Sequence, residues 1–255
     1  LFDAVEYGRM EDVRQLMDLG ASVKARNRFG NTALLLAAQK GHLNIMQLLL
    51  GAGSDIHHQN LAGNTTLFQA TRARRRKAVK YLLASKAKVN VANRQQLTPL
   101  IAAAYNGDRK TVQLLLSHGA DPTLTDQTGK TALVYASGKG FSKIVGLLLD
   151  TGIETSIRYG NELTILMWAA GHSNDVPSQA ALKTVKLILS KGANPDLVDK
   201  RGQTALMIAA EMGHLSIVEH LLGIGAMDDV RDIEGRTALD LAESENHADV
   251  AKLLR

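Results

Sequence analysis

The sequence predicts an all-α solenoid built from repeated helix–turn–helix units, and three observations lead to this fold class. A threonine recurs at intervals of 33 residues along most of the chain, and two series of mostly glycine residues keep the same phase. Aromatic residues make up only 4% of the 255 residues, whereas hydrophobic residues make up 45%. Self-similarity at such a period is the signature of stacked repeats, and a core of Leu, Ile, Val and Ala suits helices.

The repeated threonine is predicted to begin the first helix of each unit. A threonine hydroxyl accepts a main-chain N–H that the first turn of a helix leaves unpaired, and Pro99 directly after Thr98 fits the first helical position. The successive intervals are 33 residues, except for one of 40. The series consists of Thr32, Thr65, Thr98, Thr131, Thr164, Thr204 and Thr237.

Two helices are predicted between successive threonines. The stretch 33–40 is a short Ala-rich helix that ends before Gly41, and the stretch 42–50 is a Leu-rich helix that ends before Gly53. Ile45, Leu48 and Leu49 fall at helical spacing on one face of the second helix. Glycine after a helix takes the left-handed conformation that ends it.

The repeated unit resembles the ankyrin repeat. Residues 199–230 read DKRGQTALMIAAEMGHLSIVEHLLGIGAMDDV, which is similar to the family pattern of Gly-x-Thr-Pro-Leu, Ala-Ala-x-x-Gly-His and Leu-Leu-x-x-Gly-Ala-Asp. The resemblance covers essentially the whole chain, and it implies helix–turn–helix units joined by β-turn fingers. One departure is shared by all units, since the histidine usual after Thr-Pro-Leu is replaced. The replacements are Leu35, Phe68, Ile101, Val134, Met167, Met207 and Asp240.

The register predicts one domain over residues 1–255. It begins with a partial repeat at 1–26 and ends with a capping repeat at 232–255, whose acidic residues favour a solvated surface. Between them stand full repeats at 27–59, 60–92, 93–125, 126–158, 159–198 and 199–231.

Because the repeated residues are structural, function is expected where repeats deviate, and the first deviation is a basic patch. Over residues 60–110 there are eleven Lys or Arg and one acid, Asp108, although the net charge of the chain is only +5. The patch is either a local potential that attracts an anionic partner or a solvated surface. Arg74 replaces a turn glycine and is expected to accept a positive φ at a cost of about 1 kcal/mol. The patch consists of Arg72, Arg74, Arg75, Arg76, Lys77 and Lys80.

The second deviation is a seven-residue insertion around residues 173–179 of the 159–198 repeat, which is expected to form a loop between its two helices. The phrase at 166–172, LMWAAGH, followed by this loop, resembles bacterial ankyrin-repeat proteins. That resemblance implies the bacterial cytoplasm or periplasm. Trp168 is the only tryptophan, and it either packs between repeats or anchors a partner.

The third deviation is a row of variable residues in the fingers and first helices. In ankyrin proteins such residues line the concave face and commonly contact partners, and aromatic residues mixed with Arg and Lys are typical of a protein or peptide interface. The predicted partner-binding residues are Arg28, Phe29, Gln39, Lys40, Arg72, Arg94, Tyr105, Asn106, Lys130, Tyr159, Trp168, His172 and Arg201.

No arrangement of residues predicts catalysis, a metal site or a cofactor. Cysteine is absent, which excludes thiol chemistry and zinc ligation by Cys. Gly129-Lys130-Thr131 resembles the end of a phosphate-binding loop, but the earlier glycine is replaced by Leu124. No apolar run is long enough to insert into a membrane.

The sequence therefore predicts a monomeric, non-catalytic module that binds a protein or an acidic peptide on its concave face. Binding of an anionic ligand or nucleic acid through the basic patch of the 60–92 repeat is the alternative. Nucleic-acid binding would weaken steeply with rising salt, whereas an apolar peptide interface would not.

Overall fold

The computed structural model describes residues 1–255, and it contains sixteen helices and no β-sheet. The all-α repeat fold predicted from the sequence is confirmed. Two compact units are present, residues 1–127 and residues 128–255, and each is described by itself; the single-domain organisation stays a prediction. None of the helices is long and apolar enough to cross a membrane.

The helices form hairpins, each of a first and a second helix. Residues 1–127 contain α1 (Phe2–Glu6), α2 (Met10–Asp18), α3 (Ala33–Lys40), α4 (Leu43–Gly51), α5 (Thr66–Arg72), α6 (Arg76–Ala84), α7 (Pro99–Tyr105) and α8 (Arg109–Ser117). Residues 128–255 contain α9 (Ala132–Gly138), α10 (Ser142–Leu149), α11 (Ile165–Ala170), α12 (Ser178–Ser190), α13 (Ala205–Glu211), α14 (Leu215–Gly223), α15 (Ala238–Ser244) and α16 (Ala248–Leu253).

Each unit has two layers of helices. In the first unit the first helices of the hairpins pack in one series, α1, α3, α5 and α7, and the second helices pack in another, α2, α4, α6 and α8. The second unit has the same two series, α9, α11, α13 and α15, and α10, α12, α14 and α16. First helices lie between neighbours, so all residues from Ala33 to Ala38 are buried, whereas α4 buries one face through Ile45, Met46 and Leu49. Burying each such aliphatic side chain stabilises the fold by about 1.5–3 kcal/mol.

All seven threonines of the series are helix N-caps, as predicted. Each Thr hydroxyl accepts the main-chain N–H of the residue three positions later. That later residue stands where the family's histidine is replaced, and in six units it is an apolar residue of the core, such as Leu35 or Phe68. In the seventh it is Asp240, whose carboxylate accepts the N–H of Thr237 at 2.8 Å and completes a capping box.

Arg74 and Lys86 adopt the left-handed conformation that their repeat position requires. Their φ angles are 57° and 62°, in the same left-handed region as the glycines that stand there in other repeats, such as Gly41 at 86° and Gly53 at 83°. An L-residue pays about 1 kcal/mol for this conformation. The 60–92 repeat therefore carries backbone strain at two turn positions that are glycine in most other repeats.

The insertion in the 159–198 repeat is only partly a loop, which corrects the expectation. The segment 171–177 lies between helices, but Ser178 and Gln179 belong to the first turn of α12, which has 13 residues. Pro177 is the N-cap residue, and the following Ser-Gln-Ala-Ala favours a helix. The extra residues therefore lengthen a second helix as well as a turn.

Helix α5 buries hydroxyl groups that have no hydrogen-bond partner. Thr71 is 1% exposed and its Oγ1 atom has no hydrogen-bond partner. Thr66 is 0% exposed, and its Oγ1 atom has no partner either. Ala38 and Ala104 stand at the register of Thr71 in α3 and α7. A buried, unpaired polar group costs about 1–3 kcal/mol, so each of these two hydroxyl groups lowers the stability of the fold.

We predict that Thr71→Val raises the free energy of unfolding by about 1 kcal/mol, because valine keeps the shape of threonine and removes the unpaired hydroxyl. The matched variant Thr65→Val should lower it by about 1 kcal/mol, because that hydroxyl caps α5. Urea unfolding followed by circular dichroism measures both. A Thr71→Val protein no more stable than the wild type would contradict the assignment.

Candidate functional site

The fingers are the turns that precede the capping threonines, and an asparagine organises each finger of the first unit. The Oδ1 atom of Asn27 accepts the main-chain N–H groups of Phe29 and Asn31, both at 3.0 Å. Asn60 and Asn93 make the same pair of hydrogen bonds in their own fingers. This side-chain turn fixes the backbone that carries the finger side chains.

Successive fingers are also joined to one another. The N–H of Leu61 donates to the carbonyl of Phe29 at 3.1 Å, and the N–H of Arg94 donates to the carbonyl of Ala62 at 3.0 Å. A side-chain bond runs beside the first of these, from Asn60 Nδ2 to Asn31 Oδ1 at 2.7 Å. The finger residues are therefore held on a hydrogen-bonded framework, which lowers the entropic cost of binding.

A groove of about 910 Å³ lies between these fingers and the first helices of the first unit. We call it the finger groove. Phe29 is 52% exposed and Leu61 59% exposed on its wall. Its lining consists of Phe2, Asp3, Glu6, Asn27, Arg28, Phe29, Asn31, Leu36, Gln39, Asn60, Leu61, Ala62, Gln69 and Arg72.

Two arginines of the finger groove have no carboxylate within 4 Å. The guanidinium of Arg28 lies 4.8 Å from the centre of the Phe29 ring, and Arg72 lies at the end of α5. Neither forms one of the ion pairs of the chain, whereas Lys40 pairs with Glu6 at 2.8 Å. The groove thus presents two unneutralised guanidinium groups beside exposed apolar surface.

The other predicted residues of the first unit extend this row. Gln39, Arg72 and Tyr105 each stand seven residues after a capping threonine, on first helices that pack in series. Tyr105 is 51% exposed. The side-chain amide of Asn106 donates to the carbonyl of Arg72 at 3.1 Å, so Asn106 links its repeat to the preceding one.

Sequence reasoning missed the floor of the finger groove, which is formed by Leu36 and Gln69. Both stand four residues after a capping threonine and are largely buried. The residues at this register change from unit to unit more than the core does: they are Leu36, Gln69, Ala102, Tyr135, Trp168, Ile208 and Leu241. A comparison of the repeats at that one position would have found them.

Three arginines of the basic patch are engaged in contacts with neighbouring repeats. Arg74 donates to the carbonyl of Asn106, and Arg76 pairs with Asp108 at 2.8 Å. Burial acts to raise the pKa of Asp108, but hydrogen bonds from Thr111 and Arg76 outweigh it and lower that pKa. These cations therefore hold repeats together, whereas the side chains of Arg72, Lys77 and Lys80 are exposed and form neither an ion pair nor a hydrogen bond to another repeat.

Arg75 occupies a position that is histidine in other repeats. Its Nε donates to the carbonyl of Gln39 at 3.1 Å, and its side chain packs on Gly41. His42 lies 3.4 Å from the carbonyl of Glu6 in the repeat before it, and His247 lies 3.0 Å from the carbonyl of Glu211. A hydrogen bond to the preceding first helix is thus the shared role of the His and Arg residues at this position, which is Asp108 and Phe141 in two other repeats.

The second unit has a smaller groove, of about 360 Å³, on its first helices. We call it the Trp168 groove. Two predicted residues, Trp168 and Arg201, line it, and the Lys130 ammonium lies 4.9 Å from the Trp168 ring. Its lining consists of Leu163, Met167, Trp168, Gly171, Arg201, Ile208, Glu211, Met212 and Glu245.

The prediction that Tyr159 and His172 contact a partner requires correction, because both are buried. Tyr159 is 8% exposed and stands where other fingers have Asn or Asp; burial raises its pKa, against a hydrogen bond with Thr131. His172 is 4% exposed, and its ring stacks on His214 with centroids 3.7 Å apart and planes 4° apart. Their side chains leave little surface for a partner.

The surroundings of His214 favour its neutral ring. His214 Nδ1 lies 2.8 Å from the carbonyl of Ala170, while its Nε2 is buried without a partner. Burial lowers the pKa of His214, as do the neighbouring His172 and His247, and only the Ala170 carbonyl opposes them. No group of three or more acidic or histidine side chains is placed to hold a metal ion.

We predict that Arg75→Ala lowers the free energy of unfolding by about 0.5–1.5 kcal/mol, through loss of the hydrogen bond to Gln39. Arg75→His should retain most of the wild-type stability, since histidine makes this contact elsewhere in the chain. Thermal unfolding compares the two variants. Equal losses in both would show that the contact does not stabilise the stack.

The lowered pKa of His214 predicts that the free energy of unfolding decreases in acid. In the unfolded chain the imidazole binds a proton near pH 6.5, whereas in the folded chain it does so only at lower pH. The contribution of neutral His214 to the free energy of unfolding is therefore complete above about pH 6.5 and is lost as pH falls below that value. His214→Asn keeps a donor for Ala170 and cannot titrate. Urea unfolding at about pH 7.5 and about pH 5 should show a smaller acid loss in this variant than in the wild type; an equal loss would contradict the assignment.

Family models match nearly the whole chain. A model described as ankyrin repeats (3 copies) matches residues 1–93, 100–178 and 166–255, and one described as ankyrin repeats (many copies) matches residues 74–116. No curated protein matches the chain. The matched segments span the capped helical hairpins described above, so the chain belongs to the ankyrin-repeat family, whose members are in general protein–protein interaction modules and typically non-catalytic.

Proposed function

We propose that this chain is a non-catalytic, monomeric module that binds an acidic segment of a partner protein in the finger groove of residues 1–127. The observation that carries the proposal is the pairing of Arg28 and Arg72, which lack carboxylate partners, with the exposed apolar side chains of Phe29 and Leu61. The apolar side chains would supply binding energy, and the arginines would select acidic partners.

Three features of the groove support a peptide ligand. A depression of about 910 Å³ accommodates several side chains. The fingers are fixed by hydrogen bonds before any partner arrives. Arginine and aromatic residues, here Arg28 stacked on Phe29 and Tyr105 further along the row, are those that dominate binding energies at interfaces.

The charge of the first unit supports an acidic partner. Residues 1–127 contain 17 Lys or Arg and 9 Asp or Glu. Such an excess attracts an acidic segment over a distance of about one Debye length, roughly 8 Å at physiological salt. Complementary charge raises the rate of association more than it raises affinity.

Binding of nucleic acid or another anion through the basic patch is the alternative. The contacts of Arg74, Arg75 and Arg76 with neighbouring repeats weigh against it, because these three cations are already engaged. A charge-reversal test of the alternative is therefore best made at the exposed Lys77 and Lys80, where changes leave the repeat contacts in place.

The test selects peptides from a random display library on the wild-type chain and then measures the dissociation constant of the best binder for two variants. Arg28→Glu combined with Arg72→Glu should weaken binding about fivefold to thirtyfold, because loss of two exposed ion pairs of roughly 0.5–1 kcal/mol each amounts to about 1–2 kcal/mol. Lys77→Glu combined with Lys80→Glu is the matched control. Circular dichroism checks that both fold, and light scattering should give a mass near 27.5 kDa.

Two outcomes would contradict the proposal. In the first, the selected peptides lack acidic residues or bind the groove variant as tightly as the wild type. In the second, a labelled oligonucleotide binds the wild type with a steep salt dependence and loses binding in the Lys77 and Lys80 variant. The second outcome would establish the anion-binding alternative.

A further inference from the structure

We infer that the Trp168 groove is a second binding surface, and that its occupant is a cationic segment in which Lys or Arg alternates with aliphatic side chains. This inference concerns residues 128–255 only and does not depend on the finger groove. It rests on an apolar floor, an acidic rim and the charge of the unit that carries them.

The floor of the Trp168 groove is apolar. Trp168 and Ile208 stand at the same register of α11 and α13, four residues after their capping threonines, and Met212 is 46% exposed beside them. Gly171 allows the close approach of this wall, since a Cβ atom there would come within 2.7 Å of the Ile208 Cγ2 atom. A volume of about 360 Å³ suits one or two aliphatic side chains.

The rim is acidic. Glu211 and Glu245 line the groove, and Glu245 forms no ion pair within 4 Å. Arg201 is the one cation of the lining, and it is already engaged: its Nε lies 3.3 Å from Asp199 Oδ2, and its Nη1 lies 3.9 Å from Glu211 Oε2. Among the lining residues the carboxylates therefore outnumber the cations two to one, and the Lys130 ammonium lies beside them on the Trp168 ring.

The second unit as a whole, like the rim of the groove, carries an excess of acidic residues. Residues 128–255 contain 13 Lys or Arg and 16 Asp or Glu, and the imbalance is concentrated in residues 199–255, with 6 and 11. Complementarity to an apolar floor with an acidic rim requires a segment with aliphatic and cationic residues. An acidic segment, as proposed for the finger groove, would be repelled here.

Lys130 indicates where the cation of the occupant would lie. The Lys130 ammonium already lies 4.9 Å from the centre of the Trp168 ring and 5.9 Å from that of Tyr135. A second cation on the same ring face would be repelled. We therefore expect the occupant to place its cation at Glu211 and Glu245, and its aliphatic side chain against Trp168 and Met212.

Because Trp168 is the only tryptophan of the chain, its fluorescence reports on this groove directly. The probes are two synthetic peptides of opposite charge, Lys-Leu-Lys-Leu-Lys and Glu-Leu-Glu-Leu-Glu, titrated into the full chain. The cationic peptide should give a saturable change in emission that weakens as salt rises from about 0.05 to about 0.5 M. The acidic peptide should leave the emission unchanged.

Variants separate this site from the finger groove. Glu211→Gln combined with Glu245→Gln should weaken binding of the cationic peptide about tenfold, and Met212→Ala should weaken it as well. Glu219→Gln, an exposed residue of α14 that does not line the groove, is the matched control. Arg28→Glu with Arg72→Glu should leave this titration unchanged, so failure here and failure of the proposed function are distinguishable.

The inference is overturned if the cationic peptide gives no saturable change up to millimolar concentration. It is also overturned if the acidic peptide gives an equal change, or if Glu219→Gln weakens binding as much as the double variant does. Retention of the Trp168 emission maximum in the free variants shows that they keep the fold around the groove.

Discussion

The helical hairpins of each unit bury their apolar side chains by packing on neighbouring hairpins. Every residue from Ala33 to Ala38 is buried, and a helix of eight residues can be enclosed on all sides only between two neighbours. Isolated helices of this length are marginal in water. Stability is therefore a property of adjacent pairs, and every feature that aligns neighbouring hairpins contributes to the fold.

Three kinds of hydrogen bond provide this alignment. The capping threonines set where each first helix begins, and side chains at the turn between helices reach a carbonyl of the preceding repeat, as His42 and Arg75 do. The fingers add main-chain bonds from one repeat to the next. Since these bonds use the repeated positions, the variable positions between them are left to form the grooves.

The two grooves differ because the same register carries different residues. In the first unit the register four residues after the threonine carries Leu36 and Gln69, below the cationic Arg28 and Arg72; in the second it carries Trp168 and Ile208, beside Glu211 and Glu245. The first groove therefore carries the unpaired Arg28 and Arg72 together with Asp3 and Glu6, whereas the second carries the unpaired Glu245. This difference is the basis of the two proposals, an acidic segment for the first groove and a cationic segment for the second.

The amino-acid sequence by itself determined the fold, because the period of 33 residues, the capping threonines and the left-handed turn positions are local properties of the chain. It also determined that Arg74 takes a positive φ, since its position in the repeat requires one. The sequence could not decide the use of side chains that meet neighbouring repeats. The run from Arg74 to Arg76 was compatible both with a ligand site and with a solvated surface.

Only the tertiary structure decided that these arginines reach Asn106, Gln39 and Asp108 in the adjacent repeats. It also decided that His172 is buried against His214, because two rings from different hairpins meet only when the hairpins pack.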